Sequence, residues 1–164
     1  MTLFTLLLFL HVLGAIVAFG PSFAFPIIGA MGGKEPLHTN FGLRVSEAIS
    51  HQRIWPLALV QGVTGVGLIL TGNINLLEKP WLLAGIALYL VALGYSYFVQ
   101  TPALKHLIEL TSGGPPPAPA PGTPPPAGPP PHIAAAIQKV QRGGMLLALL
   151  VIVIVFLMVT KPGA

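Results

Sequence analysis

Four long stretches of the chain are almost unbroken in apolar residues: Leu3–Ile28, Ile54–Gly72, Trp81–Gln100 and Met145–Thr160. A helix needs about 20 such residues to cross the hydrocarbon core of a bilayer. The stretches are continuous rather than alternating, which favours helices over barrel strands, whose lipid-facing and lumen-facing positions alternate. The last stretch is the shortest, and Gly143, Gly144 and the preceding Ile133–Val140 extend it into one longer, tilted helix. The pattern predicts an all-α, polytopic membrane protein with four transmembrane helices in a bundle.

Punctuation between the spans refines this picture. Pro21 and Pro26 lack an amide donor and are expected to kink or end the first helix past Gly20. Ser22-Phe23-Ala24 offers small residues suited to signal cleavage, but no positive region precedes the apolar run, which is also long for a signal peptide. A retained first helix is expected. Thr39–Arg53 reads as an amphipathic extension leading into span two, with Pro56 near its membrane boundary. Asn73 to Lys79 makes a short turn, Trp81 anchors the start of span three, and Tyr95 and Tyr97 approach its other end.

Between Pro115 and Pro131, eleven of seventeen residues are proline. Such a segment forms neither a helix nor a sheet core, and as an extended polyproline spacer it reaches at most ~50 Å. Its PxxP patterns raise docking to an aromatic groove, but no basic residue flanks the run closely enough to orient a ligand, so a tether is favoured. The chain thus divides into residues 1–114 with three spans, the linker 115–131, and residues 132–164 with span four and a short tail.

Composition agrees with membrane residence. Hydrophobic residues make up 54% of the chain and charged residues 7%, against roughly a quarter charged in a soluble domain. Six of the eight Lys and Arg (Lys34, Arg44, Arg53, Lys105, Lys139 and Arg142) fall in the first and third connections. The positive-inside rule then places those connections in the cytoplasm and both termini outside. A net charge of +4 in such a protein reads as a topology signal, so the expected partner is the lipid bilayer and not nucleic acid. With no cysteine, thiolate metal sites and iron–sulfur clusters are excluded. Gly-rich phosphate loops, paired carboxylates and a Ser/His/Asp order are also missing, and no Glu lies within a span.

One titratable group of neutral range remains inside a span. His11 sits about 12 Å below the outer boundary at 1.5 Å rise per residue, and an ionisable residue at such depth is a functional candidate by default. The same level falls near Gly65, Tyr89 and Phe156–Met158. Span two contributes Gly62, Gly65 and Gly67 beside Gln61 and Thr64, and span one contributes Gly14, Ala15 and Ala18. Small residues allow close helix packing, and they also leave room for a flat cofactor ring. His11 itself serves either as a neutral imidazole bonded across helices to Gln61, Thr64 or Tyr89, or as an axial haem ligand, metal (copper) ligand or proton relay. His51 lies at the far end of span two, about 18 Å from that level, so the two histidines do not share one iron. Met158 is the soft ligand nearest in depth. His38, His106 and His132 read as solvated residues of the connections.

Leu10-His11-Val12-Leu13-Gly14-Ala15, followed by the glycine at position 20, resembles the opening of small four-helix membrane proteins related to CopD and HemJ. The tail Leu157-Met158-Val159-Thr160-Lys161-Pro162-Gly163 resembles the ending of an uncharacterised bacterial integral-membrane family in that broad group. The resemblance covers the four spans and excludes the linker. It implies a bacterial cytoplasmic (inner) membrane protein. HemJ-like proteins resemble protoporphyrinogen oxidases that bind haem b, with a haem-linked first-helix histidine, and His11 alone matches that position. No second intramembrane basic ligand accompanies it, and the Met/His richness suited to copper transport by CopD-like proteins is lacking. Two functions follow as expectations. The first is a non-catalytic accessory or assembly subunit of a larger membrane complex. The second is a haem- or metal-binding redox protein using His11, with Gly62, Gly65, Gly67 and Met158 around the cofactor.

Overall fold

The computed structural model describes residues 1–114 and 128–163. Thr2 starts the first helix by accepting the Thr5 amide on its hydroxyl at 3.2 Å. Helix α1 (Leu3–Phe19) leads through a tight 3-10 turn, Gly20–Ala24, into α2 (Phe25–Lys34). As expected from Pro21 and Pro26, the α-helix is interrupted near Gly20: α1 ends at Phe19 and the 3-10 turn follows, while the rod as a whole continues to Lys34. Both prolines stand in the first turn of their segments, where a missing N–H leaves no gap, and Ser22 Oγ donates to Phe19 O at 2.6 Å.

The second rod joins α3 (Thr39–Ile49) to α4 (Trp55–Thr71), and the third joins α5 (Pro80–Tyr95) to α6 (Thr101–Leu110). A proline inside a helix normally clashes with the carbonyl four residues back. Here a widened π-turn precedes each one: Ser50–Ile54 before Pro56 and Ser96–Gln100 before Pro102. The extra residue per turn absorbs the clash, and Thr101 Oγ1 donates to Ser96 O at 2.9 Å. The fourth rod is the single helix α7 (Pro131–Thr160), which includes the Ile133–Val140 extension. Residues 115–127 of the linker lie outside the described residues, and Pro131 opens α7.

These four rods are 32, 36, 31 and 30 residues long, so each exceeds the bilayer requirement by roughly ten or more residues. The turn from Gly72 to Lys79 is short, so the excess collects at the opposite end. There α2, α3, α6 and the first turns of α7 form a helical extension. Its centre holds Leu107, Leu104, Ala103 and Ser46, all buried, and Asn40 Nδ2 ties α3 to α6 by donating to Ile108 O and Thr111 Oγ1.

In the membrane part α1 packs along α4 and α5 along α7, the two most extensive pairings. Tyr97 meets Trp55 edge-on at 5.3 Å between ring centres, joining the second and third rods. At the other end Lys161 lies over the Trp81 ring at 5.8 Å, which fits an interfacial anchor. Val63, Leu70 and Phe98 are each more than 70% exposed on the isolated chain, as lipid-facing side chains are.

Candidate functional site

Little inside the spans is polar, so the surroundings of each polar side chain there can be traced. His11 Nδ1 lies 2.9 Å from Thr64 Oγ1 across the α1–α4 seam. The same Thr64 oxygen lies 3.0 Å from the Val60 and Gln61 carbonyl oxygens. A hydroxyl has one proton and carbonyl oxygens only accept. With the Thr64 proton returned to its own helix, Oγ1 accepts from His11 Nδ1–H, the tautomer that leaves Nε2 with its lone pair. Of the partners expected from sequence, Thr64 is the one used.

The glycines are placed individually. A methyl built on Gly65 would meet His11 Cε1 at 3.3 Å, so Gly65 is the surface on which the imidazole rests. On Gly62 it would meet Tyr89 Oη at 2.8 Å, and on Gly67 it would meet Leu7 Cδ1 at 3.1 Å. The three glycines are thus not one open slot: His11, Tyr89 and Leu7 each occupy one. Tyr89 Oη donates to Ala58 O at 2.6 Å and links α5 to α4. Met158 lays its terminal methyl against Gly85 of α5, where any Cβ would overlap it. The structure brings His11 and Gly65 together, while Gly62, Gly67 and Met158 have other neighbours.

One feature was not singled out by sequence reasoning. Gln100 Nε2 donates to Val140 O at 3.0 Å, and its Oε1 closes on Gly143 so tightly that a Cβ there would overlap it. The signal was a polar residue at the end of span three facing a Gly-Gly pair in span four. Gln61, expected from sequence as one of the candidate His11 partners, is buried with its side-chain Oε1 lacking a hydrogen-bond partner. A methyl on Gly14 would meet that oxygen at 2.8 Å, so it rests against the Gly14 backbone, where a weak Cα–H contact is the available interaction.

The remaining histidines are peripheral. His38 lies 3.2 Å from Glu35, and His106 lies 3.9 Å from Glu109, each within one helical turn. Among the described residues no group of three or more His, Cys, Asp or Glu is placed to hold a metal ion.

Residues 5–162 match the model of a family described as predicted integral membrane protein (DUF2269). No curated protein and no solved structure matches the chain.

Proposed function

We propose, for a chain that belongs to the DUF2269 family of predicted integral membrane proteins, the role of a non-catalytic accessory or assembly subunit in a larger membrane complex. One observation carries this reading: three intramembrane polar side chains are spent on joining helices. His11 bonds Thr64, Tyr89 bonds Ala58, and Gln100 bonds Val140. A catalytic centre holds polar groups aimed at the position of a reacting atom, whereas these bonds knit a scaffold. The grooves at Gly62, Gly67 and Gly85 are filled by the chain's own side chains, which supports packing over ligand binding.

In this role the protein resides in a bacterial cytoplasmic membrane, with the helical extension and the proline-rich tether in the cytoplasm and both termini outside. Support comes from the six Lys and Arg that share the extension's end. The test is mild-detergent purification of the full chain from its native membrane. Stoichiometric partners in a colourless preparation are expected, and a chain that runs alone at its own mass overturns the reading.

A second reading rests on the His11 tautomer. An imidazole whose Nδ1–H is engaged and whose Nε2 lone pair is available is the form that ligates haem iron or copper, and the resemblance to the CopD and HemJ group points the same way. A porphyrin does not fit between α1 and α4 as they pack, because Gly65 already carries the imidazole and Gly62 and Gly67 are filled. The readings separate on a reduced-minus-oxidised absorption spectrum. A Soret band abolished in His11→Ala establishes haem at this residue, and a colourless, metal-free protein removes it.

A further inference from the structure

A cleft of about 350 Å³ opens between the start of α6 and the start of α7. Its floor is Phe98, Val99 and Pro102, its walls are Ala103 and Ala136, and its rim carries His106 and Lys139. The geometry points to a site for the headgroup of an anionic phospholipid, with the glycerol and upper acyl chain on the floor and the phosphate at Lys139.

Depth is the first argument. Phe98 and Val99 end the apolar run of the third span, and His106 lies seven residues further, about 10 Å along the helix. On α7 the Gln100–Val140 bond sets the register, so Lys139 lies level with Thr101, just beyond the end of the third span's apolar run, and His106 about 8 Å further out. The headgroup zone extends about 5–8 Å beyond the hydrocarbon core, which a lysine stem reaches from that level while its methylenes stay on apolar surface. Floor and rim therefore fall at the acyl and phosphate levels of one leaflet.

Charge is the second argument. Arg142 follows Lys139 by three residues and shares its side of α7, and Lys105 precedes His106. Among the described residues, neither Lys139 nor Arg142 has a carboxylate within 4.0 Å. Glu109 neighbours His106 at 3.9 Å, so Lys139 is the rim cation free to meet a phosphate.

The cleft's shape is the third argument. Gln100 clasps Val140 at its base, while Ala103 and Ala136 are too small to close the space above. Phe98, which is 76% exposed, continues the floor into the lipid-facing surface. Inorganic phosphate would use the rim and none of the floor. A zwitterionic lipid would bring its own cation to the rim.

The experiment uses the full chain in detergent micelles containing equal phosphatidylglycerol and phosphatidylcholine, with retained lipid counted by native mass spectrometry. Preferential retention of phosphatidylglycerol is expected. It should fall about fivefold in Lys139→Gln, the weight of one surface lysine on an anionic bilayer. Ala136→Phe should abolish it by filling the cleft without altering charge, and Lys79→Gln at the opposite end should leave it unchanged. Equal retention of the two lipids overturns the proposal. So does a preference that survives both cleft variants, or full displacement of the lipid by millimolar inorganic phosphate. Lys139 is exposed, so its variant keeps the fold, and circular dichroism checks the helix content of Ala136→Phe.

Discussion

The imidazole of His11 and the hydroxyl of Thr64 meet at 2.9 Å across the α1–α4 seam, and the threonine passes its own proton back to the carbonyls of Val60 and Gln61. The pair is a short relay from one helix's side chain to the other's backbone. It explains how a histidine is carried within an apolar span without a charged partner. Gly65 makes the approach possible, because a side chain there would push the ring off Oγ1.

Thr64→Val keeps the shape and removes the acceptor. It is expected to destabilise the detergent-solubilised protein by about 1 kcal/mol, the usual range for interhelical bonds in membranes, while Thr64→Ser retains most of the stability. Denaturant titration followed by tryptophan fluorescence checks the difference. A neutral Thr64→Val would show that the pair contributes nothing to the seam.

The glycines of α5 and α7 should divide sharply. Gly143→Ala places a methyl onto Gln100 Oε1 and is expected to break the Gln100–Val140 clasp, lowering stability by about 1–3 kcal/mol as overpacking does. Gly94 has nothing within 4 Å of an added Cβ, so Gly94→Ala should be neutral or stabilising by up to about 1 kcal/mol. Thermal melting of the two variants side by side reads the contrast.

Most of the architecture was legible in the sequence because hydrocarbon imposes a single rule, that apolar runs of sufficient length cross as helices. The number and order of the four spans, the Thr39–Arg53 extension and the meeting of His11 with Gly65 follow from that rule and from helical rise, while the rods run past the expected ends to Lys34, Leu110 and back to Pro131. What escaped depends on neighbours. Pro21 and Pro26 mark the interruption of α1 after Phe19, but spacing alone did not show that a 3-10 turn there, and π-turns before Pro56 and Pro102, leave continuous rods. Depth matching put Met158 at the level of His11, but helix rotation, which residue spacing alone leaves undetermined, turned it to Gly85. Gln100 was equally opaque, because its clasp depends on which face α7 presents.

Tyr89 carries the bond between the first helix pair and the second, donating to Ala58 O at 2.6 Å. Tyr89→Phe keeps the ring that fills the Gly62 groove and loses only that bond. A loss of about 0.5–1 kcal/mol is expected, with helix content unchanged by circular dichroism. A loss several times larger would mean that the hydroxyl supports more than the α4–α5 contact.

The proposed orientation can be read directly, because the chain has no cysteine to remove. Leu37 and Leu77 are 75% and 85% exposed and stand in connections at opposite ends of the bundle. With the basic end in the cytoplasm, Leu77→Cys should react with a membrane-impermeant maleimide on intact cells, and Leu37→Cys should react only after permeabilisation. The reverse pattern would invert the topology and move the six clustered basic residues outside, against the electrostatic rule that orients such chains. Labelling of both on intact cells would contradict the odd number of spans that separates these two positions. Either result would also reassign the α6–α7 cleft to the other leaflet, since it shares an end with Leu37.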